Sequence, residues 1–288
     1  MRAAPLRERV LAGSRLWSGL TVVAETGSTN DDLIAAARAG AAEGTILVAG
    51  RQTRGRGRLG RAWVSEPGTA LTFSVLLRPA AVPAAARGWL PLLTGVAVAA
   101  AVRDRTGLGV SLKWPNDVLA SAAGAATKAS AAGAAATAAT DSGAAAPAEG
   151  KLAGILAEQS GDAIVVGIGL NVLASPGGLT SSLPATSLAE LGAGSTHPEE
   201  LLAAILAELE FWYLRWAGGA VPGDAAGSGL RAEYVRSCST LGRNVRVELP
   251  GGASLSGRAG DVDSLGRLLV DGPDGVQPVS AGDVVHVR

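Results

Sequence analysis

Apolar and polar positions divide this chain into strands, helices and loops before any other property is considered. Residues 20–24 and 45–49 are short apolar runs with the composition of buried strands, and 69–77 is a longer run with partial alternation. Between the first two lies Glu25-Thr26-Gly27-Ser28-Thr29-Asn30, followed by Asp31, Asp32 and Leu33. Ser28 or Thr29 is a sound N-cap, two aspartates suit a first helical turn, and Gly40 closes the helix. Residues 88–106 read as an apolar helix with Pro91 near its start and Arg103 and Arg105 near its end. Its longest apolar run, 90–102, is interrupted by Thr94 and Gly95 and falls short of the roughly 20 residues of a membrane span, so a buried helix in a soluble protein is expected.

Further along, 110–119 is an apolar strand interrupted by Lys113, Asn116 and Asp117 around a Trp-Pro turn. Residues 151–158 and 162–172 predict a β-hairpin turning near Ser160-Gly161. Residues 196–217 predict a helix, with Thr196 and Glu199 as a capping box and Leu201, Ile205, Leu209, Trp212 and Trp216 on its core face. A short amphipathic helix fits within 1–18, and another helix fits 230–240. From 243 onward five short alternating segments separated by Gly-rich turns predict a small β-barrel of SH3-like size, where Asp263 and His286 read as surface residues. Residues 121–150 are almost entirely Ala, Gly, Ser and Thr. With nothing bulky to bury, they read as a flexible insertion, because the strand pattern resumes directly afterwards.

Composition sharpens this in three places. Formal net charge is +0, with 25 basic and 25 acidic residues, so no general field for polyanions exists. Cys238 stands alone, which excludes an internal disulfide and fits a reducing cytoplasm; with two separated histidines no soft metal cluster can be drawn. Of the 25 basic residues only Lys113, Lys128 and Lys151 are lysines, so a retained lysine carries information, although Lys128 lies in the low-complexity tract. The N-terminal stretch has no signal-peptide pattern and too little chain before residue 20 for a separate DNA-binding domain.

Against that neutral background, residues 51–63 concentrate five arginines and three glycines with no acid. Glycines allow close backbone approach, and guanidinium forks match carboxylate or phosphate oxygens. Such a loop can close over an anion, stay solvated, or bind nucleic acid. Ser28 and Thr29 are equally readable as caps or as ligand groups. Trp63 can pack in the core or stack on a ligand. Lys113 and Asp117 can hold phosphate and a divalent cation, or form a salt bridge within a plain turn. Gly154, Gly167 and Gly169 weaken strands unless something must approach the backbone closely, and Asn171 in an apolar strand needs a buried partner or a ligand.

Five motifs in order resemble the biotin–protein ligase family: Glu25-Thr26-Gly27-Ser28-Thr29-Asn30, Gly55-Arg56-Gly57-Arg58-Leu59-Gly60-Arg61, Lys113-Trp114-Pro115-Asn116-Asp117, Lys151-Leu152-Ala153-Gly154-Ile155 and Gly167-Ile168-Gly169-Leu170-Asn171. The resemblance covers roughly residues 20–288. It implies an α+β fold: a mixed-sheet catalytic domain over 1–240, like class II synthetases and lipoate ligases, then an SH3-like domain over 241–288. It implies ATP-dependent ligation of biotin, through biotinyl-5'-AMP and with Mg2+, to a lysine of a biotin carboxyl carrier protein domain.

By the family pattern, biotin would be lined by Ser28, Thr29, Asn30, Gln52, Gly55, Arg56, Gly57, Arg58, Lys151, Gly154 and Gly169. The nucleotide would meet Arg58, Arg61, Trp63, Lys113, Asn116, Asp117, Lys151 and Asn171, with Asp117 as the metal ligand. Lys151, Arg58 and Lys113 would carry the chemistry. The family's regulatory members carry an N-terminal helix-turn-helix, which this sequence lacks, so no DNA partner is expected; no membrane partner is expected, and a homodimer is compatible. The 118–150 segment is longer than the family's usual turn but leaves both flanking motifs intact. Two rivals are a lipoate–protein ligase, with the same adenylation logic, and a nucleic-acid module built on 51–61. Against the latter stand the neutral charge and the lack of aromatics among those arginines.

Overall fold

The computed structural model describes residues 3–63, 66–122, 149–174, 184–249 and 251–287. The first unit runs α1 (Ala3–Leu11), β1 (Gly19–Val23), α2 (Thr29–Arg38), β2 (Thr45–Ala49), β3 (Ala70–Leu77), α3 (Trp89–Thr106), β4 (Gly109–Lys113), β5 (Asp117–Ser121), β6 (Gly150–Ser160), β7 (Ala163–Asn171), α4 (Pro198–Ala217) and α5 (Leu230–Ser237). Five strands follow: β8 (Asn244–Glu248), β9 (Ser254–Val262), β10 (Leu268–Gly272), β11 (Gly275–Val279) and β12 (Asp283–His286). The first unit's seven strands form one mixed sheet in the order β1-β2-β3-β7-β6-β5-β4, parallel at β1–β2 and antiparallel elsewhere. The remaining strands form an antiparallel sheet in the order β11-β10-β9-β8-β12. The α+β expectation with a small terminal β unit holds.

Strand alternation sorts the two faces of the large sheet. On β7, Ile164, Val166, Ile168 and Leu170 join the main core beneath α3, while Ala163 and Val165 meet Leu33 and Ala37 of α2 on the opposite face. On β3, Leu71, Phe73, Val75 and Leu77 enter the main core, leaving Thr72, Ser74 and Leu76 for the α2 side. Because α2 covers only part of its face, the next residues on that side of β7 (Gly167, Gly169 and Asn171) lie beyond the helix start. They floor a depression.

Helix α3 lies between the sheet and α4 and is buried around most of its circumference. The stretch Ala84–Thr106 is long and apolar enough to cross a membrane by length and composition, and its burial here accounts for that character. Helix α4 departs from expectation at its start. It begins at Pro198, and the Thr196 hydroxyl instead donates to Ala193 O at 2.9 Å, so no Thr196–Glu199 capping box forms. Its buried face also takes Tyr213, while Trp212 is only half-buried; a 3.6-residue period brings Leu209, Tyr213 and Trp216 into one stripe.

The small sheet is not loosely appended. Its Val245, Val247, Leu268, Val270 and Val284 belong to the same apolar cluster as α3 and the large sheet. Trp89 Nε1 donates to Ser264 O at 2.9 Å, and Trp114 Nε1 to Gly266 O at 3.1 Å. Asp263, expected at the surface, caps its own turn: its carboxylate accepts from Leu265 N, Arg267 N and Arg267 Nε. His286 is half-buried at the junction, with Nε2 3.3 Å from Thr240 Oγ1, whose oxygen also accepts from Trp114 N at 3.0 Å.

The insertion reading concerns 121–150, of which 123–148 lie outside the described residues. The strands on either side pair antiparallel, with Ala120 opposite Gly150. A short turn therefore suffices to join them. Replacing residues 122–148 by a Gly-containing turn is expected to leave the melting temperature within a few degrees of the parent; a collapse of the transition would show that the segment carries part of the core.

Burial, reinforced by Arg243 and Lys113, lowers the His286 imidazole from its ordinary 6.5 to about 4. The unfolded chain accepts this proton near pH 6.5 and the folded chain only near pH 4. The stability linked to His286 is thus intact above that window and lost as pH falls through it. His286→Gln should flatten the decline of melting temperature across this window, as read by thermal melts at several pH values; parallel curves for variant and parent would refute the assignment.

Candidate active site

The depression beyond α2 is closed by four walls drawn from distant parts of the chain. Its floor is β6 and β7 at Gly154, Gly167, Gly169 and Asn171, and the first wall is the start of α2 at Ser28, Thr29 and Asn30. The second is the Arg/Gly segment, the third the β4–β5 turn with Asn116 and Asp117. Asp283, at the start of β12, forms the fourth.

The three floor glycines explain themselves by what lies on them. A Cβ on Gly167 would stand 2.3 Å from Asn30 Oδ1. One on Gly169 would lie 2.3–2.6 Å from the Trp63 indole, and one on Gly154 would lie 3.1 Å from its far edge. Trp63 thus rests on bare backbone inside the pocket, and neither side of the core-or-ligand alternative describes it alone. Its Nε1 is buried with no partner among the described residues.

At the α2 end a polar network is locked in place. Ser28 caps the helix, its Oγ accepting from Asp31 N at 3.4 Å. Gln52 Oε1 accepts from Thr29 N at 2.7 Å and from Thr29 Oγ1 at 3.0 Å. Asn30 Nδ2 donates to Leu156 O at 3.2 Å and Glu158 Oε2 at 2.7 Å, while its Oδ1 lies 2.6 Å from Ser74 Oγ. Both Asn30 amide hydrogens are therefore committed within the protein, and what it offers a ligand is its carbonyl oxygen. Ser28 thus caps the helix and also lines the pocket.

The Arg/Gly segment folds as a miniature hairpin. Arg56 bridges to Ala62, Gly57 N donates to Arg61 O at 2.7 Å, and Trp63 N donates to Gly55 O at 2.9 Å. Its tip is a single turn of 3-10 helix over Arg58–Gly60, with Leu59 left-handed at φ 55° and exposed. A β-carbon at Gly55 would lie 2.6 Å from Trp63 O and 2.8 Å from Gln52 Nε2, so Gly55 is the crossing point that lets the hairpin close. Gly55 stands behind the wall and does not line the pocket.

Four positive groups lining the pocket, Arg56, Arg58, Arg61 and Lys151, each face a carboxylate or carbonyl. Arg56 pairs with Asp31 and with Glu158. Arg58 Nη1 donates to Asn116 Oδ1 at 3.2 Å and Gly282 O at 3.3 Å. Arg61 pairs with Asp283. Lys151 Nζ is 2.6 Å from Asp117 Oδ1, a charge contact outside the angles of a hydrogen bond, so that oxygen remains without a hydrogen-bond partner among the described residues. Lys113 is 2% exposed and lies beneath the pocket rather than on its wall. Burial lowers its ammonium, while Asp117 and Asp283 oppose that shift. Asn171 Nδ2 donates to Thr186 O at 2.9 Å, while its Oδ1 is buried without a hydrogen-bond partner among the described residues.

Of the residues expected at a site, Ser28, Thr29, Asn30, Gln52, Arg56, Gly57, Arg58, Arg61, Trp63, Asn116, Asp117, Lys151, Gly154, Gly169 and Asn171 line this one pocket; Gly55 and Lys113 do not. Sequence reasoning missed Thr72, Leu156, Ala185 and Asp283. Period-two alternation on β3 could have indicated Thr72. Nothing local distinguishes Asp283, which reaches the pocket only because the small sheet docks beside the β4–β5 turn.

Comparison with known proteins places the chain by family and fold. The Biotin/lipoate A/B protein ligase family matches residues 26–174, and the Biotin protein ligase C terminal domain matches 240–287. Biotin--[acetyl-CoA-carboxylase] ligase of Mycobacterium tuberculosis (strain ATCC 25618 / H37Rv) is 39% identical, covering 98% of this chain and 94% of the relative. The enzyme of that name from Paracoccus denitrificans is 28% identical over 91% of this chain and 98% of its own. The solved structure of biotin protein ligase from Aquifex aeolicus in complex with biotin and ATP has a TM-score of 0.69 at 27% identity, covering 94% of this chain and 100% of that one. With both units matched and a relative aligned along nearly its whole length, the chain belongs to the biotin/lipoate A/B protein ligase family.

Proposed function

We infer that this protein is a biotin–[acetyl-CoA-carboxylase] ligase, which attaches biotin to a lysine of a carboxyl carrier protein through a biotinyl-adenylate. The observation that carries this reading is convergence: five separated motifs meet in one pocket with a polar amide-rich end and a cationic end. The polar end suits a ureido ring. Asn30 Oδ1 can accept a ureido N–H, the Ser28 hydroxyl can donate to its carbonyl, and Gln52, with Oε1 committed to Thr29, contributes its NH2. The resulting preference for a cyclic urea over the dithiolane of lipoate separates the two readings within the family.

At the cationic end the biotin carboxylate meets the α-phosphorus of ATP. One carboxylate oxygen forms a bond to phosphorus as the bond to the bridging oxygen of pyrophosphate breaks. Two anions must approach, so fixed positive charge is the chain's main contribution. Lys151 and Arg58 line the pocket where the carboxylate and α-phosphate would meet, Arg61 would meet the leaving phosphates, and Lys113 would add charge from below. The carrier lysine amine then attacks the acyl carbonyl, forming the amide and releasing AMP with one proton to solvent. No enzyme nucleophile enters either step. The closed 55–63 hairpin, with Trp63 beneath it, shields the mixed anhydride from water.

Magnesium fits this residue set in a limited way. Among the described residues no group of three or more His, Cys, Asp or Glu could hold a metal; the pocket offers the single carboxylate of Asp117, whose Oδ1 already faces Lys151 Nζ at 2.6 Å. That suits an ion carried mainly on phosphate oxygens, whose charge it would screen when bound. We assign the ligase chemistry to residues 1–240 and a supporting role to 241–288, and place the protein in the cytoplasm on the basis of its lone buried Cys238.

Purified protein should support biotin-dependent exchange of pyrophosphate into ATP without any carrier; exchange supported by lipoate but not by biotin would overturn the assignment. Lys151→Arg should lower the exchange rate about 10²- to 10³-fold, comparable to removing one transition-state donor, with circular dichroism unchanged. The reason is geometric: Nζ places a compact charge 2.6 Å from Asp117 Oδ1 in a side chain 14% exposed, and a planar guanidinium on a different stem cannot put its charge at the same point. Near-normal exchange would mean that charge alone suffices.

A further inference from the structure

The small C-terminal sheet places two consecutive residues against the Arg/Gly hairpin. Gly282 O accepts from Arg58 Nη1 at 3.3 Å, and Asp283 pairs with Arg61. Arg58 and Arg61 are the residues that bracket the hairpin tip. Gly282 can deliver its carbonyl because it has no side chain: a Cβ there would lie 2.5 Å from Val247 Cγ1 and 3.0 Å from Glu248 O. Asp283 is the residue of this sheet that lines the pocket, and its side chain is 22% exposed against 42% for Arg61.

Charge around Asp283 is unbalanced. Arg58, Arg61 and Lys113 all act on it, and Lys151 stands nearby with Asp117 as partner. Burial would raise the Asp283 carboxyl, but the hydrogen bond and charge of Arg61, with Lys113 and Arg58, hold it below the ordinary aspartate range. It is ionised at neutral pH, so an anion already occupies part of a cationic site where the nucleotide's phosphates would lie. A triphosphate and Asp283 would compete for the same guanidinium.

We propose that Asp283 is a positioning residue that holds Arg61 in the place of a phosphate, surrenders it when ATP binds, and recaptures it as pyrophosphate leaves. This rests on the adenylating activity proposed above and adds to it a role for the C-terminal sheet. The exchange replaces one charged hydrogen bond with another, so Arg61 never has to be left unpaired in the half-buried site. It also makes the hairpin's attachment to the C-terminal sheet depend on the nucleotide rather than on biotin.

The test is a double-mutant comparison by pyrophosphate exchange, with KM for ATP and for biotin and inhibition by pyrophosphate measured separately. Asp283→Asn should lower KM for ATP and the inhibition constant for pyrophosphate by about two- to fivefold, the range of a partly exposed ion pair, and leave KM for biotin unchanged. Asp283→Glu should restore parental values. Arg61→Gln should raise KM for ATP, and in that background Asp283→Asn should change nothing. A purely structural aspartate would not give opposite signs for the two partners.

An unchanged or raised KM for ATP in Asp283→Asn would overturn the proposal. So would an equal fall with and without Arg61, which would reveal a simple field effect. Should the Asn variant melt early, Asp283→Ser gives the same neutral comparison. If the parent shows no biotin-dependent exchange, the activity reading fails instead, and ATP binding by calorimetry across the same variants still decides the role of Asp283.

Discussion

Bare backbone at the middle of a sheet is the constraint on which this site depends. Gly154, Gly167 and Gly169 lie on the face of β6 and β7 that α2 leaves uncovered. Any side chain there would displace Asn30 or Trp63. Glycine costs a strand roughly 0.5–1 kcal/mol relative to alanine, and here the cost secures depth. Surrounding residues offset it: the opposite face of the same strands is filled by Ile155, Val166, Ile168 and Leu170 in the main core. One face of β7 is therefore built for stability and the other for access, with a period of two residues separating the tasks.

Around that floor four cations of the pocket wall are each held by an oxygen of the protein. Arg56, Arg61 and Lys151 each face a carboxylate, and Arg58 faces a side-chain and a backbone carbonyl. Unpaired cations in a half-buried pocket would be costly, and cations paired too tightly would not release. Arg56 and Arg61 have side chains 44% and 42% exposed. Their pairs can therefore order the site without competing strongly with a more highly charged ligand, whereas the more buried Lys151–Asp117 pair holds its ammonium fixed.

How much of this was legible in the sequence follows from the range of the interactions. Elements such as β2, β7 and α3 were readable because each is a nearly continuous apolar run, as burial on both sides requires. The start of α4 was misread because a Thr-x-x-Glu pattern fits a capping box, yet Pro198 sets the first turn and Thr196 bonds backward to Ala193. The pocket was readable as motifs because each motif combines residue types that an apolar strand or a plain loop has no use for. Asp283 was invisible for the opposite reason. An aspartate at the start of a short strand is unremarkable until tertiary docking brings it to Arg61, and no local pattern records that 222-residue separation.

The resting place of Trp63 has an optical consequence. Trp89, Trp114 and Trp216 are fully buried in the core, while Trp63 lies on the glycine floor of the pocket with its indole N–H unpartnered. A ligand entering that space must either cover the ring or move it, and both change the polarity around its excited state. The protein thus contains its own fluorophore at the point where occupancy matters, and its emission can register filling of the site without any label.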